Sequence, residues 1–176
     1  ADARGYGLHA TLKPPFHPQH GYPALRDAVA AFAARHAAFA LPPLAVMDLK
    51  GFLALRETTP CPALHALADA AVIELDAHRA PPSEAELERR RRAPLSPRHE
   101  ELLAAHGYPY VLDEWRFHVT LTRRLTEGEA ARVRPAAEAH FDGIAGRARR
   151  VESVCLFTQA RPGAPFLIAE RFRLSG

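Results

Sequence analysis

The sequence predicts an α+β fold with a duplicated, bilobed architecture, in which two antiparallel sheets line a central cleft and the helices lie outside. The phrase His-x-Thr-Leu occurs twice, at residues 9–12 and 118–121. Each copy opens the same order of expected elements, a strand, a helix and a hairpin. No flexible linker separates the two halves. We therefore expect one domain over residues 1–176, with lobe one at about 4–58, connecting helices at about 61–107 and lobe two at about 108–174.

The first half begins with a predicted strand. Residues 7–13 alternate between apolar and polar side chains, a period of two that indicates a strand with one core face. Residues 22–39 then carry apolar side chains at helical spacing, and residues 44–57 form two apolar runs joined at Lys50 and Gly51, which predicts a hairpin. The expected core positions are Leu8, Ala10 and Leu12 in the strand and Leu25, Val29, Phe32 and Ala33 in the helix.

The second half repeats this order. Residues 117–122 alternate as the first strand does. Thr126 and Glu129 then have the spacing of a capping box, which predicts a helix to about residue 140. Two apolar runs flank a turn at residues 161–164, and they predict a second hairpin.

Three helices are expected between the halves. The first, over residues 61–79, is amphipathic. Ser83 and Glu86 form a second capping box, which opens a short polar helix ending in the arginines of residues 89–92. We interpret that run as a solvated helix face paired with nearby glutamates, with a flap over an anionic ligand as the alternative. Ser96 opens the third helix and Gly107 ends it.

Composition sets the broad class of protein. With 48% apolar and 24% charged residues, the 176-residue chain is typical of a soluble globular domain. A net charge of +3 is small for a protein that tracks a polyanion. Cys61 and Cys155 form no CxxC pair, so we expect free thiols. No apolar run approaches the roughly 20 residues that cross a bilayer. We expect a cytoplasmic monomer with no membrane partner.

The two repeated motifs are the candidate site. Residues i and i+2 of a strand point the same way, so each motif presents an imidazole beside a hydroxyl. A pseudo-twofold axis between the lobes would bring both pairs to one cleft. The predicted site residues are His9 and His118 as catalytic groups, Thr11 and Thr120 as phosphate-binding groups, and Lys13 and Thr122 as weaker substrate contacts.

Two imidazoles on either side of one point suit the cleavage of a phosphodiester. One neutral imidazole takes a proton from the attacking hydroxyl or water, and the other, protonated, gives one to the leaving oxygen. Threonine hydroxyls can donate hydrogen bonds to the non-bridging phosphate oxygens. The ten histidines show no H-x-x-x-H or H-E-x-x-H spacing, and the sequence has no Walker loop. We expect neither a metal nor a cofactor.

The stretches GYGLHATLKPPF, GFLALRE and RFHVTLTRRL resemble the two-histidine (2H) phosphoesterase superfamily, and within it a bacterial branch associated with phosphonate metabolism. The resemblance implies a duplicated α+β fold, no metal, His9 and His118 as the catalytic pair, and Thr11 and Thr120 as phosphate ligands. It also implies a strand before the first motif, whereas the motif here starts at residue 9. If that strand is absent, the first lobe has an unpaired edge.

The expected function is therefore that of a hydrolase, a metal-independent phosphodiesterase that opens a cyclic phosphate. The substrate would be a small phosphorylated molecule, either a nucleoside 2′,3′-cyclic phosphate or a ribosyl cyclic phosphate in phosphonate metabolism. Two alternatives stay open. One is an RNA-end 2′,3′-cyclic phosphodiesterase or ligase-like enzyme, with RNA as the partner. The other is a non-catalytic module that binds a phosphorylated ligand.

Overall fold

The structure is a computed structural model that describes residues 7–176. It confirms the α+β class and antiparallel sheets. The helices are α1 (Gly21–Arg35), α2 (Pro62–Glu74), α3 (Glu84–Arg91), α4 (Pro97–His106) and α5 (Glu127–Phe141). The strands are β1 (Phe39–Leu41), β2 (Leu44–Asp48), β3 (Leu53–Glu57), β4 (Val119–Thr120), β5 (Arg149–Val151), β6 (Ser153–Gln159) and β7 (Phe166–Arg173).

The described strands form three antiparallel sheets. One sheet has the order β2-β3-β4, and a second consists of the hairpin β6-β7. In the third, β1 pairs with β5, with Ala40 opposite Arg150. This short ladder joins equivalent positions of the two halves, because β1 follows α1 as β5 follows α5.

The predicted strand over residues 7–13 is wrong. None of these residues is assigned to a strand, and Leu8, expected in the core, is 69% exposed. The carbonyl of Thr11 accepts a hydrogen bond from the indole of Trp115 instead of a ladder bond. The chain bends at residues 12 and 13, ahead of two prolines that cannot donate backbone hydrogen bonds. Residues 4–6 of the expected first lobe lie outside the described residues.

The helix starts and the hairpin turn follow the sequence signals. Ser83 accepts from the amide of Glu86, and Thr126 from the amide of Glu129, with both glutamates reaching back to complete capping boxes. Gly107 closes α4 with a φ of 72°. Lys50 and Gly51, both at positive φ, turn β2 into β3.

The helix of each half packs against the hairpin of the other half. Apolar residues of α1, including Phe32, share one core cluster with Val154 of β6 and with Phe172 of β7. A second cluster joins Phe141 of α5 to Leu44 of β2. The two halves are therefore interleaved.

Helix α2 lies between the two clusters. Its Leu67 and Ala71 belong to the α1 cluster, whereas Leu64 and Ala68 belong to the α5 cluster.

The expectation of free thiols is confirmed for both cysteines. Across residues 7–176, every helix is too short or too polar to cross a bilayer.

Candidate active site

The second motif lies on an edge strand with one core face. Strand β4 pairs with β3 through Leu55 opposite Val119 and Ala54 opposite Thr120. Val119 and Leu121 pack against the cluster that contains Leu55. His118 and Thr120 alternate with these residues, so their side chains lie on the opposite face of the sheet.

The backbone fixes the orientation of the His118 ring. Nδ1 of His118 lies 2.8 Å from the carbonyl oxygen of Arg116. A carbonyl can only accept, so Nδ1 carries the proton and Nε2 is left for other partners. The Thr120 side chain forms no hydrogen bond with any residue of the described range 7–176. This imidazole and hydroxyl are thus both available to a ligand.

The first motif has the same local arrangement. Nδ1 of His9 lies 3.3 Å from the carbonyl oxygen of Gly7, again two residues earlier. Gly7 adopts a φ of 66°, a conformation that favours glycine. Nε2 of His9 lies 3.4 Å from the hydroxyl of Thr11, so the two side chains are neighbours on one side of the segment.

A single tryptophan connects the two motifs. The indole of Trp115, three residues before His118, donates a 3.0 Å hydrogen bond to the carbonyl of Thr11. Ala10 and Leu12 of the first motif also pack against the cluster that contains Trp115. Residues of both motifs therefore pack against one core cluster.

A phenylalanine from the opposite half lies beside each histidine, and the sequence did not single out either one. Phe52, which precedes β3, has its ring centroid 6.0 Å from that of His118, edge to face. Phe157 of β6 lies 5.1 Å from His9 in a tilted arrangement. These contacts restrict where each imidazole can turn.

Arg56 of β3 is a further side chain near the second motif. Ala54 is opposite Thr120, so extending this antiparallel register by two residues places Arg56 opposite His118, on the same face of the sheet. The sequence stretch FLALRE predicted the strand, but the pairing partner that locates Arg56 could not be read from it.

The two weaker site residues already have partners within the protein. The hydroxyl of Thr122 accepts a 3.0 Å hydrogen bond from the amide of Leu53. The ammonium of Lys13 donates to the carbonyl of Val72 and to Asp76, at 2.9 and 3.0 Å. Burial lowers the pKa of Lys13, although Asp76 partly opposes this. Contact of either side chain with substrate stays a prediction.

Asp76 is the centre of a cluster beside the first motif. Arg79 forms a two-pronged contact with its carboxylate, with both distances 2.9 Å. Burial of Asp76 favours a higher pKa, but hydrogen bonds from Arg79 and Lys13 and their charges lower it to about 2. A pocket next to this cluster is lined by Lys13 and His106, and none of the His-x-Thr histidines or threonines lines it.

The arginine run of residues 89–92 follows the solvated-face interpretation in part. Arg91 forms a two-pronged ion pair with Glu100 of α4, and Arg89 lies 4.0 Å from Glu86. The Arg90 guanidinium stacks 4.4 Å from the ring centroid of Tyr108.

Within residues 7–176, no group of three or more histidine, cysteine or acidic side chains could hold a metal ion.

Two curated proteins are similar to this chain. The ribose 1,5-bisphosphate phosphokinase PhnN of Janthinobacterium sp. (strain Marseille) is 40% identical over 182 residues, covering 100% of this chain and 40% of that protein. The ribose 1,5-bisphosphate phosphokinase PhnN of Laribacter hongkongensis (strain HLHK9) is 40% identical over 168 residues, covering 94% and 38%. The chain thus spans about two fifths of the length of these relatives.

These relatives correct one expectation. Their name describes a phosphokinase, which transfers a phosphoryl group, whereas the sequence led us to expect a hydrolase. The expected enzyme class is therefore wrong. The paired histidines indicated proton transfer at phosphorus, and that chemistry does not determine whether water or another hydroxyl accepts the phosphoryl group.

A family model matches most of the chain. It covers residues 11–167, from Thr11 of the first motif to β7, and includes the whole second motif. The description of that family is "Protein of unknown function (DUF1045)". With this extent of match, the chain belongs to the DUF1045 family.

Proposed function

We propose that the chain binds a phosphorylated ribose between the two His-x-Thr motifs. In this proposal His9 and His118 exchange protons with oxygens bonded to phosphorus, and the hydroxyls of Thr11 and Thr120 donate to the non-bridging oxygens. The observation that carries it is the repeated arrangement: each imidazole contacts a carbonyl two residues earlier through Nδ1 and precedes a threonine by two residues.

This arrangement suits a phosphoryl group for a chemical reason. Substitution at phosphorus removes a proton from the incoming hydroxyl and adds one to the departing oxygen, and histidine can do either near neutral pH. When a sugar hydroxyl is the incoming group, the net reaction is phosphoryl transfer, the class that the relatives' name specifies. The proposal also assigns the paired motifs of this chain to the 2H superfamily.

The ligand class rests on the relatives' name and on the sequence resemblance. The relatives are named for ribose 1,5-bisphosphate. The resembled branch often accompanies genes for phosphonate breakdown, a pathway that passes through a ribosyl cyclic phosphate. The 176 residues contain no Walker loop, the usual cradle for a nucleoside triphosphate. We therefore assign to this chain the recognition of the phosphorylated sugar.

Phosphorus NMR tests the proposal directly. The purified chain is titrated into ribose 5-phosphate, ribose 1,5-bisphosphate and a ribosyl cyclic phosphate. We expect the resonances of at least one ligand to shift or broaden, and we expect His118→Ala and Thr120→Val to weaken that binding about tenfold or more. His140→Ala, which changes an exposed histidine of α5, is the matched control and should bind as the original chain does.

Two results would contradict the proposal. The first is an absence of any spectral change with all three ligands. The second is equal binding by His118→Ala, Thr120→Val and the control, because the phosphoryl group would then be held elsewhere on the protein.

A further inference from the structure

Arg56 lies on the ligand-facing side of the sheet that carries the second motif. Strand β3 alternates between core positions such as Leu55 and positions on the opposite face. The pairing of Ala54 with Thr120 puts Arg56 directly across from His118. Residues opposite each other in such a pair have Cβ atoms about 5 Å apart. The side chain of Arg56 therefore starts on the same face of the sheet as the imidazole and hydroxyl of this motif.

The Arg56 side chain has no anionic partner among residues 7–176. Its Nε is buried and forms no hydrogen bond there. The neighbouring acid, Glu57, belongs to the other face of β3, where its carboxylate lies 3.3 Å from Nε2 of His65. A partly buried cation with an unsatisfied donor is unfavourable by itself, because it has lost water without gaining a counter-charge.

An anionic ligand at the second motif would supply that counter-charge. A guanidinium offers several N–H groups in a rigid fork whose geometry matches two phosphate oxygens. Most other described arginines near the site already have acceptors; Arg116, for instance, bonds to the carbonyl of Asp113. Arg56, in contrast, is on the same face of the sheet as the second motif and has an Nε without an acceptor among residues 7–176.

We propose that Arg56 is a phosphate-binding residue, whose guanidinium holds non-bridging oxygens of the phosphoryl group between His118 and Thr120. This inference rests on the proposed function, and it adds a side chain with a permanent positive charge to the proposed binding site. Histidine charges change with pH, whereas an arginine remains charged. Arg56 would thus give the bound phosphate a positive charge that does not depend on the two imidazoles.

The test compares variants by calorimetric titration with ribose 5-phosphate, ribose 1,5-bisphosphate and a ribosyl cyclic phosphate. Arg56→Met keeps most of the side-chain length but removes the charge, and we expect the Kd to rise about 10- to 100-fold. Arg56→Lys keeps the charge but loses the fork, and its Kd should lie between those of Arg56→Met and the original chain. Arg132→Met, which changes an exposed arginine of α5, is the matched control and should leave the Kd unchanged.

Salt dependence gives a readout that a purely structural role would not change. Removal of a phosphate-contacting cation should make the Kd of Arg56→Met less sensitive to ionic strength than that of the original chain. Circular dichroism confirms that each variant is folded. If Arg56→Met does not fold, the Kd of Arg56→Lys still decides the question.

The outcomes separate the two proposals. No binding of any of the three ligands by the original chain overturns the proposed function, and the role of Arg56 with it. Binding by the original chain, Arg132→Met and both Arg56 variants with one common Kd and one salt dependence overturns the role of Arg56 alone.

Discussion

Asp76→Asn should destabilise the protein more than other single charge removals on its surface. Asp76 holds two cations that are themselves largely buried: the Lys13 side chain is 8% exposed and that of Arg79 is 13% exposed. Asparagine keeps an acceptor but loses the charge. The Lys13 ammonium would then stay buried without the carboxylate charge that offsets the effect of burial on its pKa.

The size of the effect follows from the pKa of Asp76. The folded protein lowers this pKa from 3.8 to about 2. A difference of almost two pKa units corresponds to about 2.5 kcal/mol in the free energy of unfolding. Because the folded pKa is depressed, this stability is fully present above the unfolded pKa and is lost as the pH falls through about 2. Roughly half of it should remain at pH 3.

Urea unfolding of both proteins across this pH range is the assay. At pH 7 we expect Asp76→Asn to be less stable by about 2–3 kcal/mol, and we expect the difference to shrink steadily below pH 4. Asp27→Asn removes a carboxylate whose side chain is 72% exposed, and it should cost less than about 1 kcal/mol. A difference between the original chain and Asp76→Asn that stays constant from pH 7 to pH 3 would refute this account.

Three further substitutions test the structural arguments. Trp115→Phe leaves the carbonyl of Thr11 without its indole donor, so the free energy of unfolding in urea should fall by about 1–3 kcal/mol. The affinity for ribose phosphates should also fall. Unchanged stability and affinity would contradict the connection between the motifs. Thr126→Ala removes the α5 capping box and should cost about 1 kcal/mol in the same assay, whereas a neutral result would show that tertiary packing alone sets this helix start. Gly107→Ala introduces a Cβ 3.0 Å from Nη1 of Arg79 at a φ of 72°, so we expect a loss of about 1–2 kcal/mol. Its control, Gly128→Ala in the open first turn of α5, should be neutral or stabilising by up to about 1 kcal/mol, and equal melting temperatures for these two alanine variants would argue against strain at residue 107.

Local features of the fold could be read from the sequence because their causes are local. The capping boxes at Ser83 and Thr126 satisfy amides three residues away, and both helices start where those residues predict. Helical spacing identified Leu25, Val29, Phe32 and Ala33 of α1, all of which are buried.

Long-range features could not be predicted in the same way. Periodicity shows that one face of α1 is buried, but it does not show that the β6-β7 hairpin covers that face. The alternation in residues 7–13 has the period of a strand, yet the Thr11 carbonyl bonds to a side chain 104 residues away. Pairing partners depend on the whole chain.

The candidate site also contains residues that the sequence alone could single out and residues that could be found only from long-range pairing. The repeated motif predicts two histidines and two threonines as site residues from residue type and spacing alone, and their roles stay predictions. Arg56 needed the register between β3 and β4, because its position opposite His118 follows from which residues pair. Phe52 and Phe157 needed the placement of each hairpin beside the other half's motif.

The exchange of helices between the halves has a consequence for how such a protein could arise. One half expressed by itself would leave α1 without the β6-β7 hairpin and the β2-β3 hairpin without α5. Two identical copies of an ancestral half could satisfy both needs as a swapped homodimer, with one histidine from each subunit across a twofold axis. Fusion of two such genes would convert that dimer into a single chain, after which each motif could change independently of the other.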